Sequence, residues 1–129
     1  MAPVKLIFVD DDQDDRDLIQ DGLSALGANS FLVLEGGRAL FTYLNSLKED
    51  HLPEGIVLDL NMPEMNGAQI LQQLKNMDPY QKIPVYILTT SSRDDLKQQC
   101  ITDGAAGFYT KPNSIVELNS ILNELYDTV

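Results

Sequence analysis

Short apolar runs alternate with amphipathic stretches along the whole chain. The apolar runs occupy residues 4–9, 31–34, 55–60, 83–89 and 106–110. Runs this short that are apolar on both faces are typical of strands in a parallel sheet that helices cover on both sides. We therefore predict five strands, of which the run at 31–34 has the weakest pattern.

Amphipathic patterns fill the intervals between these runs and predict five helices. Four of them span 13–27, 38–49, 66–77 and 93–103, and the last follows Ser114, a suitable N-cap residue. Apolar residues that recur three or four positions apart mark the face that each helix should bury. The predicted inward-facing residues are Ile19, Leu23, Leu26, Ile70, Leu74, Met77, Leu96, Cys100, Ile115, Leu118, Leu122 and Leu125.

This fivefold alternation of strand and helix favours right-handed crossovers and a doubly wound parallel sheet. In such a sheet, ligands bind beyond the carboxyl ends of the strands. The polar residues at or just after these ends are Asp10, Asp11, Asp59, Thr89 and Lys111. We therefore expect three carboxylates, one hydroxyl and one ammonium group to meet at one edge of the sheet.

The segment 10–15 contains five aspartates directly after the first apolar run. Two carboxylates about 4 Å apart repel each other by roughly 4 kcal/mol at an effective dielectric constant of 20. A divalent cation would relieve this repulsion, and Mg²⁺ prefers oxygen ligands of this kind. Asp10, Asp11 and Asp59 are the predicted carboxylate ligands, with Mg²⁺ as the expected ion and Mn²⁺ as its substitute.

The other three aspartates of this segment, Asp12, Asp14 and Asp15, fall in the loop and in the first turn of the predicted helix. The helix dipole favours negative charge at that end. We expect them to stabilise the helix and to take no part in the cation site.

Asp59 lies between two leucines at the end of an apolar strand, where a buried carboxylate is costly unless it is paired or functional. A carboxylate can act as a nucleophile and form an aspartyl-phosphate. Phosphoryl transfer requires that the charge of the donor be neutralised. Lys111 could pair with one phosphoryl oxygen, and Thr89 could donate a hydrogen bond to another.

Four short motifs support this interpretation: "VDD" at 9–11, "LDLNMPEMNG" at 58–67, "LTTSS" at 88–92 and "FYTKP" at 108–112. With these motifs in this order, the chain resembles the response-regulator receiver domains of two-component signalling, and it is similar to small stand-alone receivers. The resemblance covers essentially the whole chain. It implies an α/β, flavodoxin-like (βα)5 fold with strand order 2-1-3-4-5 and helices on both faces of the sheet.

The resemblance also implies a role for each residue that matches a motif. The implied metal site comprises Asp10, largely through water, Asp11 directly, Asp59, and the backbone carbonyl of Asn61. The implied phosphorylation and switch residues are Asp59 as phosphoacceptor, Thr89 as switch hydroxyl, Lys111 as phosphate-binding lysine and Phe108 as switch aromatic. A cis Lys111–Pro112 peptide would direct the ammonium inward, and Gly67 suits a sharp turn before the third helix.

The resemblance implies a signalling phosphoacceptor. Such a protein catalyses only its own phosphorylation and dephosphorylation and is otherwise not an enzyme. The resemblance implies that a sensor histidine kinase or a histidine phosphotransfer protein supplies the phosphoryl group. A downstream protein would then bind the face formed by residues 93–127, or the receiver would simply pass on or drain the phosphoryl group. We expect a single receiver domain over 1–129 without an output domain, because no further residues follow the last predicted helix.

Composition narrows the classes of partner. The chain has 129 residues, 43% of them hydrophobic, which suits one globular domain. Nine basic and twenty acidic residues give a net charge of −11, which argues against nucleic-acid binding. No apolar run approaches the roughly 18 residues of a membrane span. The single Cys100 fits a reducing compartment, so we expect a cytoplasmic protein. The sequence leaves a homodimer open.

Two other functions remain open at this point. A receiver fold could serve as a docking module independent of phosphate, but such a module would have no need to retain Asp10, Asp11, Asp59, Thr89 and Lys111. A phosphohydrolase with an aspartyl nucleophile commonly carries a second acid two residues later, where this chain has Asn61. The stretch "EGGRAL" at 35–40 does not match a dinucleotide-binding fingerprint.

Overall fold

The computed structural model describes residues 4–129, which form five strands and five helices in alternation. The strands are β1 Leu6–Val9, β2 Phe31–Leu34, β3 Gly55–Leu58, β4 Val85–Thr89 and β5 Gly107–Thr110. The helices are α1 Gln13–Ala25, α2 Gly37–Asn45, α3 Gly67–Lys75, α4 Asp94–Thr102 and α5 Ile115–Thr128. Single 3-10 turns precede β3 at Glu49–His51 and β4 at Tyr80–Lys82.

All five strands are parallel and lie in the order β2-β1-β3-β4-β5. The register aligns their carboxyl ends, because Val9 pairs with both Leu34 and Leu58, and Thr89 pairs with Thr110. The predicted doubly wound sheet and its strand order are therefore confirmed. The residues that follow the strand ends emerge along one edge of the sheet.

Two hydrophobic layers hold the helices on the two faces of the sheet. In β1, Ile7 and Val9 face α2, α3 and α4, whereas Leu6 and Phe8 face α1 and α5. These four side chains are at most 2% exposed. A strand whose residues are buried on both sides cannot shift by one position without exchanging its two faces, so the packing fixes where Asp10 emerges.

The structure differs from the predicted pattern at the margins of the elements. β2 and β5 are only half-buried, because they form the two edges of the sheet. Leu26 is exposed because α1 ends at Ala25, one residue before it. Ile115 is 62% exposed because it lies in the first turn of α5, whereas the buried residues of that helix come later, at Leu122 and Leu125. The prediction that Leu26 and Ile115 face inward is therefore wrong.

Candidate functional site

The first part of the site follows β1. The amide of Asp10 donates to the carbonyl of Leu34 at 3.0 Å, which extends the β1–β2 ladder by one residue. Asp10 is 2% exposed, and its Oδ1 accepts a hydrogen bond from the amide of Asp12 at 3.0 Å. Asp12 in turn caps α1 by accepting from the amide of Asp15 at 3.2 Å, as its position before the helix suggested. Asp11 is exposed at the same strand end.

The second part follows β3, beside β1. The amide of Asp59 donates to the carbonyl of Val9 at 3.1 Å, and the residue is 6% exposed. Its Oδ1 accepts a hydrogen bond from the amide of Asn61 at 3.2 Å. The backbone on both sides of the Asp59 side chain is therefore fixed, and the carboxylate points along the edge of the sheet toward Asp10.

Gly67, the first residue of α3, packs directly against the backbone of Asp59. A Cβ atom at Gly67 would lie 2.9 Å from the Asp59 carbonyl carbon and 3.2 Å from the Cα of Leu60, and it would lie closer still to the Asp59 carbonyl oxygen. The φ angle of Gly67 is not positive, so its backbone conformation does not by itself require glycine. Glycine is therefore required for this close approach and not for the sharp turn that the sequence suggested.

Carboxylate oxygens of Asp10, Asp11 and Asp59 all lie within 4.8 Å of one another. Three oxygen donors at this spacing suit a hard divalent cation, which commonly takes one or two carboxylates and completes its shell with water or phosphate. The three residues therefore fit the expected cation. Burial raises the pKa of Asp10, although the hydrogen bonds from Lys111 and from the amide of Asp12 oppose this effect.

Lys111 brings a basic side chain into direct contact with the carboxylates, whereas Arg16 donates to the backbone carbonyl of Asp10 at 3.0 Å. The Lys111 Nζ lies 2.6 Å from Asp10 Oδ2, 2.8 Å from Asp15 Oδ2 and 3.1 Å from Asp59 Oδ2. Burial lowers the pKa of Lys111, but its hydrogen bonds to Asp10 and Asp15 and the charges of Asp10 and Asp59 raise it more. The net effect is a pKa above that of an ordinary lysine, so the ammonium stays charged.

The backbone at Lys111 does not follow the expectation of a cis bond to Pro112. Of the peptide bonds within residues 4–129, only Asp78–Pro79 is cis, so that expectation is wrong. The amide of Lys111 donates to the carbonyl of Thr89 at 2.6 Å and anchors the residue at the end of β5. From there the side chain reaches the carboxylates without a cis bond.

Asp15 is the site residue that the sequence interpretation missed. It was assigned only to the helix terminus, but its carboxylate contacts the ammonium of Lys111. The sequence does contain a signal for this position. Asp15 lies four residues before Ile19, and side chains four apart share one face of a helix. Ile19 is buried against the sheet. Asp15 lies on the same face one turn closer to the N-terminus of α1, above the edge of the sheet.

Thr89 is fully buried at the end of β4. Its Oγ1 accepts hydrogen bonds from the side-chain amide of Asn61 at 3.3 Å and from the backbone amide of Ser91 at 3.5 Å. The Asn61 amide also donates to Thr90 Oγ1 at 3.2 Å. Asn61 thus links the loop after Asp59 to the loop after β4, a contact that the sequence did not predict.

Phe108 pairs with Ile87 in the sheet and is half-buried on the face that carries α3 and α4. Tyr109 lies on the opposite face, with α1 and α5, because successive residues of a strand face opposite sides of the sheet. Phe108 therefore lies next to β4 and packs in the apolar layer on that face of the sheet. Its role as a switch aromatic stays a prediction.

Comparison with known proteins assigns the family. The model of the response regulator receiver domain matches residues 6–123. The chain belongs to the response-regulator receiver family. The match includes both strand ends that carry the aspartates, the loop after β4 and Lys111.

Individual relatives agree with this assignment. An uncharacterized 14.6 kDa protein of Leptolyngbya boryana is 30% identical to this receiver, over 96% of this chain and 91% of its own. The structure is similar to that of the phosphorylated cyanobacterial phytochrome response regulator RcpA, with a TM-score of 0.82, 28% identity, and coverage of 98% and 93% of the two chains. It is also similar to the Mn²⁺-bound form of response regulator Rcp1, with a TM-score of 0.81, 25% identity, and coverage of 95% and 91%.

The receiver therefore acts in two-component signalling, as the sequence motifs suggested. Receiver domains bind a divalent metal at an acidic pocket and interact with histidine kinases or phosphotransfer proteins. Asp10, Asp11 and Asp59 form an acidic cluster whose spacing could hold such a metal. None of the helices described between residues 4 and 129 has both the length and the apolar character needed to cross a membrane.

Proposed function

We propose that this receiver accepts a phosphoryl group on Asp59 in a Mg²⁺-dependent reaction. The donor is a sensor histidine kinase or a histidine phosphotransfer protein. The observation that carries the proposal is the convergence on Asp59: its Oδ2 lies 3.1 Å from the Lys111 ammonium, and the oxygens of Asp10 and Asp11 lie within 4.8 Å of its carboxylate. This arrangement combines a nucleophile, a candidate cation site and a permanently charged ammonium.

Asp10, Asp11, Asp59 and the backbone carbonyl of Asn61 would hold Mg²⁺, or Mn²⁺ in its place, and the bound ion would supply positive charge that neutralises the phosphodonor. The protein's own part is to hold the nucleophile. The backbone bonds of Asp59 and the Asn61 amide fix its orientation, which lowers the entropic cost of reaching the attack geometry.

In the proposed reaction, a carboxylate oxygen of Asp59 attacks the phosphorus of a phosphohistidine. The phosphorus–nitrogen bond breaks, the ring nitrogen keeps the electron pair, and Asp59 becomes an acyl phosphate. The ammonium of Lys111 pairs with a phosphoryl oxygen, since it already lies at hydrogen-bond distance from Asp59. Charge-assisted hydrogen bonds of this kind are about twice as strong as neutral ones.

Phosphorylation would then change partner binding through the face formed by residues 93–127. The new phosphoryl oxygens accept a hydrogen bond from the Thr89 hydroxyl, which now accepts bonds from Asn61 and Ser91. This draws in the loop after β4, and Phe108 turns inward beside it. The residues that rearrange lie next to α4 and β5, which form part of that face.

Incubation with phosphoramidate and Mg²⁺, followed by intact-mass measurement and peptide mapping, tests the proposal. We expect one phosphoryl adduct on Asp59, lost in Asp59→Asn and in EDTA, and retained in the control variant Asp127→Asn, which changes an exposed aspartate in α5. No adduct on wild-type protein would favour the phosphate-independent docking module. Steady release of phosphate from unrelated monoesters would favour the phosphohydrolase.

A further inference from the structure

The carboxylates that converge on Lys111 exceed its capacity to neutralise them. Asp10, Asp15 and Asp59 all contact one ammonium, and Asp11 lies beside them. A lysine ammonium has three N–H donors, so these three contacts use all of them. The side chain of Lys111 is 11% exposed and that of Asp15 is 32% exposed, so solvent does not replace these contacts freely.

Asp15 differs from the other two carboxylates in what it could otherwise bind. Asp10 and Asp59 belong to the cation site, whereas Asp15 is outside the group of three oxygens that could hold the ion. Its Oδ2 is 2.8 Å from the ammonium, a shorter contact than the 3.1 Å from Asp59. Asp15 therefore holds Lys111 without being a ligand, and it does so from α1, an element separate from both strands that carry the ligands.

We propose that Asp15 is a positioning residue that draws the ammonium of Lys111 toward α1. This has two consequences with opposite signs. It reduces the competition of the ammonium with a cation for Asp10 and Asp59, and it opposes donation by Lys111 to a phosphoryl group on Asp59. The second consequence rests on the proposed phosphorylation of Asp59, whereas the first requires only the proposed cation site.

The substitution Asp15→Asn keeps the size of the side chain and removes its charge, so the ammonium shifts toward Asp10 and Asp59. A bond to a charged acceptor is stronger than one to a neutral acceptor by an amount that corresponds to about a fivefold change in an equilibrium. We expect the Kd for Mg²⁺, measured by isothermal titration calorimetry, to rise about fivefold. We expect the rate of phosphorylation by phosphoramidate at saturating Mg²⁺ to rise by a similar factor.

Three further variants separate this effect from general electrostatics and from misfolding. Asp14→Asn makes the same change of charge in the same turn of α1. Within residues 4–129, the ion pairs of Lys111 are with Asp10, Asp15 and Asp59 and not with Asp14. Asp14→Asn therefore reports the long-range effect of one charge alone. Asp15→Glu keeps the charge and should restore values near those of the wild type. In a Lys111→Ala background, the Kd should change equally with Asp15→Asn and with Asp14→Asn.

The outcomes are distinct. A weaker Mg²⁺ affinity together with a faster reaction at saturation, both beyond the changes in Asp14→Asn, supports the inference, since a merely structural defect would impair both. Equal behaviour of Asp15→Asn and Asp14→Asn, or a loss of both affinity and rate, overturns it. If wild-type protein gains no phosphoryl group on Asp59, the proposed function and the second consequence are wrong, and the calorimetry still decides the first.

Discussion

The contact between Gly67 and the backbone of Asp59 leads to a prediction about the variant Gly67→Ala. The added Cβ would lie 2.9 Å from the carbonyl carbon of Asp59, where ordinary contacts begin at 3.4 Å. The atoms it meets belong to the backbone, so they cannot turn away as a flexible side chain could. Because the approach to the Asp59 carbonyl oxygen is closer still, the start of α3 and Asp59 must separate by roughly 1 Å, about half of it at each.

This displacement sets the expected magnitudes. Overpacking of this kind costs roughly 1–3 kcal/mol of stability, and the better helix propensity of alanine recovers at most about 1 kcal/mol. We therefore expect the free energy of unfolding to fall by about 1–2 kcal/mol. A misplacement of 1 Å can cost about a hundredfold in rate, so a shift of half that size at Asp59 should slow phosphorylation by about tenfold.

Urea unfolding followed by circular dichroism measures the first quantity, and mass spectrometry of the phosphoryl adduct at saturating Mg²⁺ measures the second. Gly36→Ala is the matched control, because a Cβ at Gly36 meets no atom within 4 Å and its backbone is extended. We expect it to change stability by less than about 1 kcal/mol and to leave the rate unchanged. If the two variants behave alike in both assays, the argument from close approach is wrong.

Three further predictions concern the stability of the fold around the site. Lys111→Ala should lower the free energy of unfolding by about 3 kcal/mol in EDTA, because the buried carboxylates of Asp10 and Asp59 lose their partner. Mg²⁺ should restore most of this loss. Urea unfolding curves that do not depend on Mg²⁺ would contradict the prediction. Asn66→Ala should lower the free energy of unfolding by about 1 kcal/mol in the same assay, because Asn66 and Gln69 form a capping box at the start of α3. An unchanged unfolding midpoint would show that the cap contributes little. Burial and the charge of Asp103 raise the pKa of the Cys100 thiol. At pH 8, a thiol reagent should therefore label Cys100 slowly in the native protein and quickly in urea. Rapid labelling of the native protein would contradict the burial of this residue.

Much of the fold follows from the apolar pattern, because the interior strands are buried on both faces. The run at β1 is four residues long and apolar throughout, and the structure buries every one of them. The pattern is less informative where an element ends or lies at an edge. Ile115 matches the helical spacing of α5, but it is exposed because the first turn of that helix is not buried against the sheet. The spacing of apolar residues does not contain this information.

The site was predictable to the extent that strand ends determine it. Asp10, Asp59 and Lys111 each follow a strand, and parallel strands carry such residues to one edge. Asp15 lies on a helix, and its contribution depends on the angle at which α1 leaves the loop after Asp12. The need for Gly67 likewise depends on how closely α3 approaches β3, a distance that no local pattern contains.

The charges in the cluster indicate which of its parts can respond to the proposed phosphorylation. Asp10 and Asp59 cannot separate to relieve their repulsion, because backbone hydrogen bonds to Leu34 and Val9 hold them at the ends of adjacent strands. Within residues 4–129, the ammonium of Lys111 is held by side-chain contacts alone, at the end of a long flexible chain, and its raised pKa keeps it charged. A change of charge at Asp59 must therefore be met by movement of Lys111 rather than of the carboxylates. The amide of Lys111 is bonded to Thr89 at the junction of β4 and β5, so this movement is made by the Lys111 side chain while its backbone stays joined to β4, next to the face proposed to bind partners.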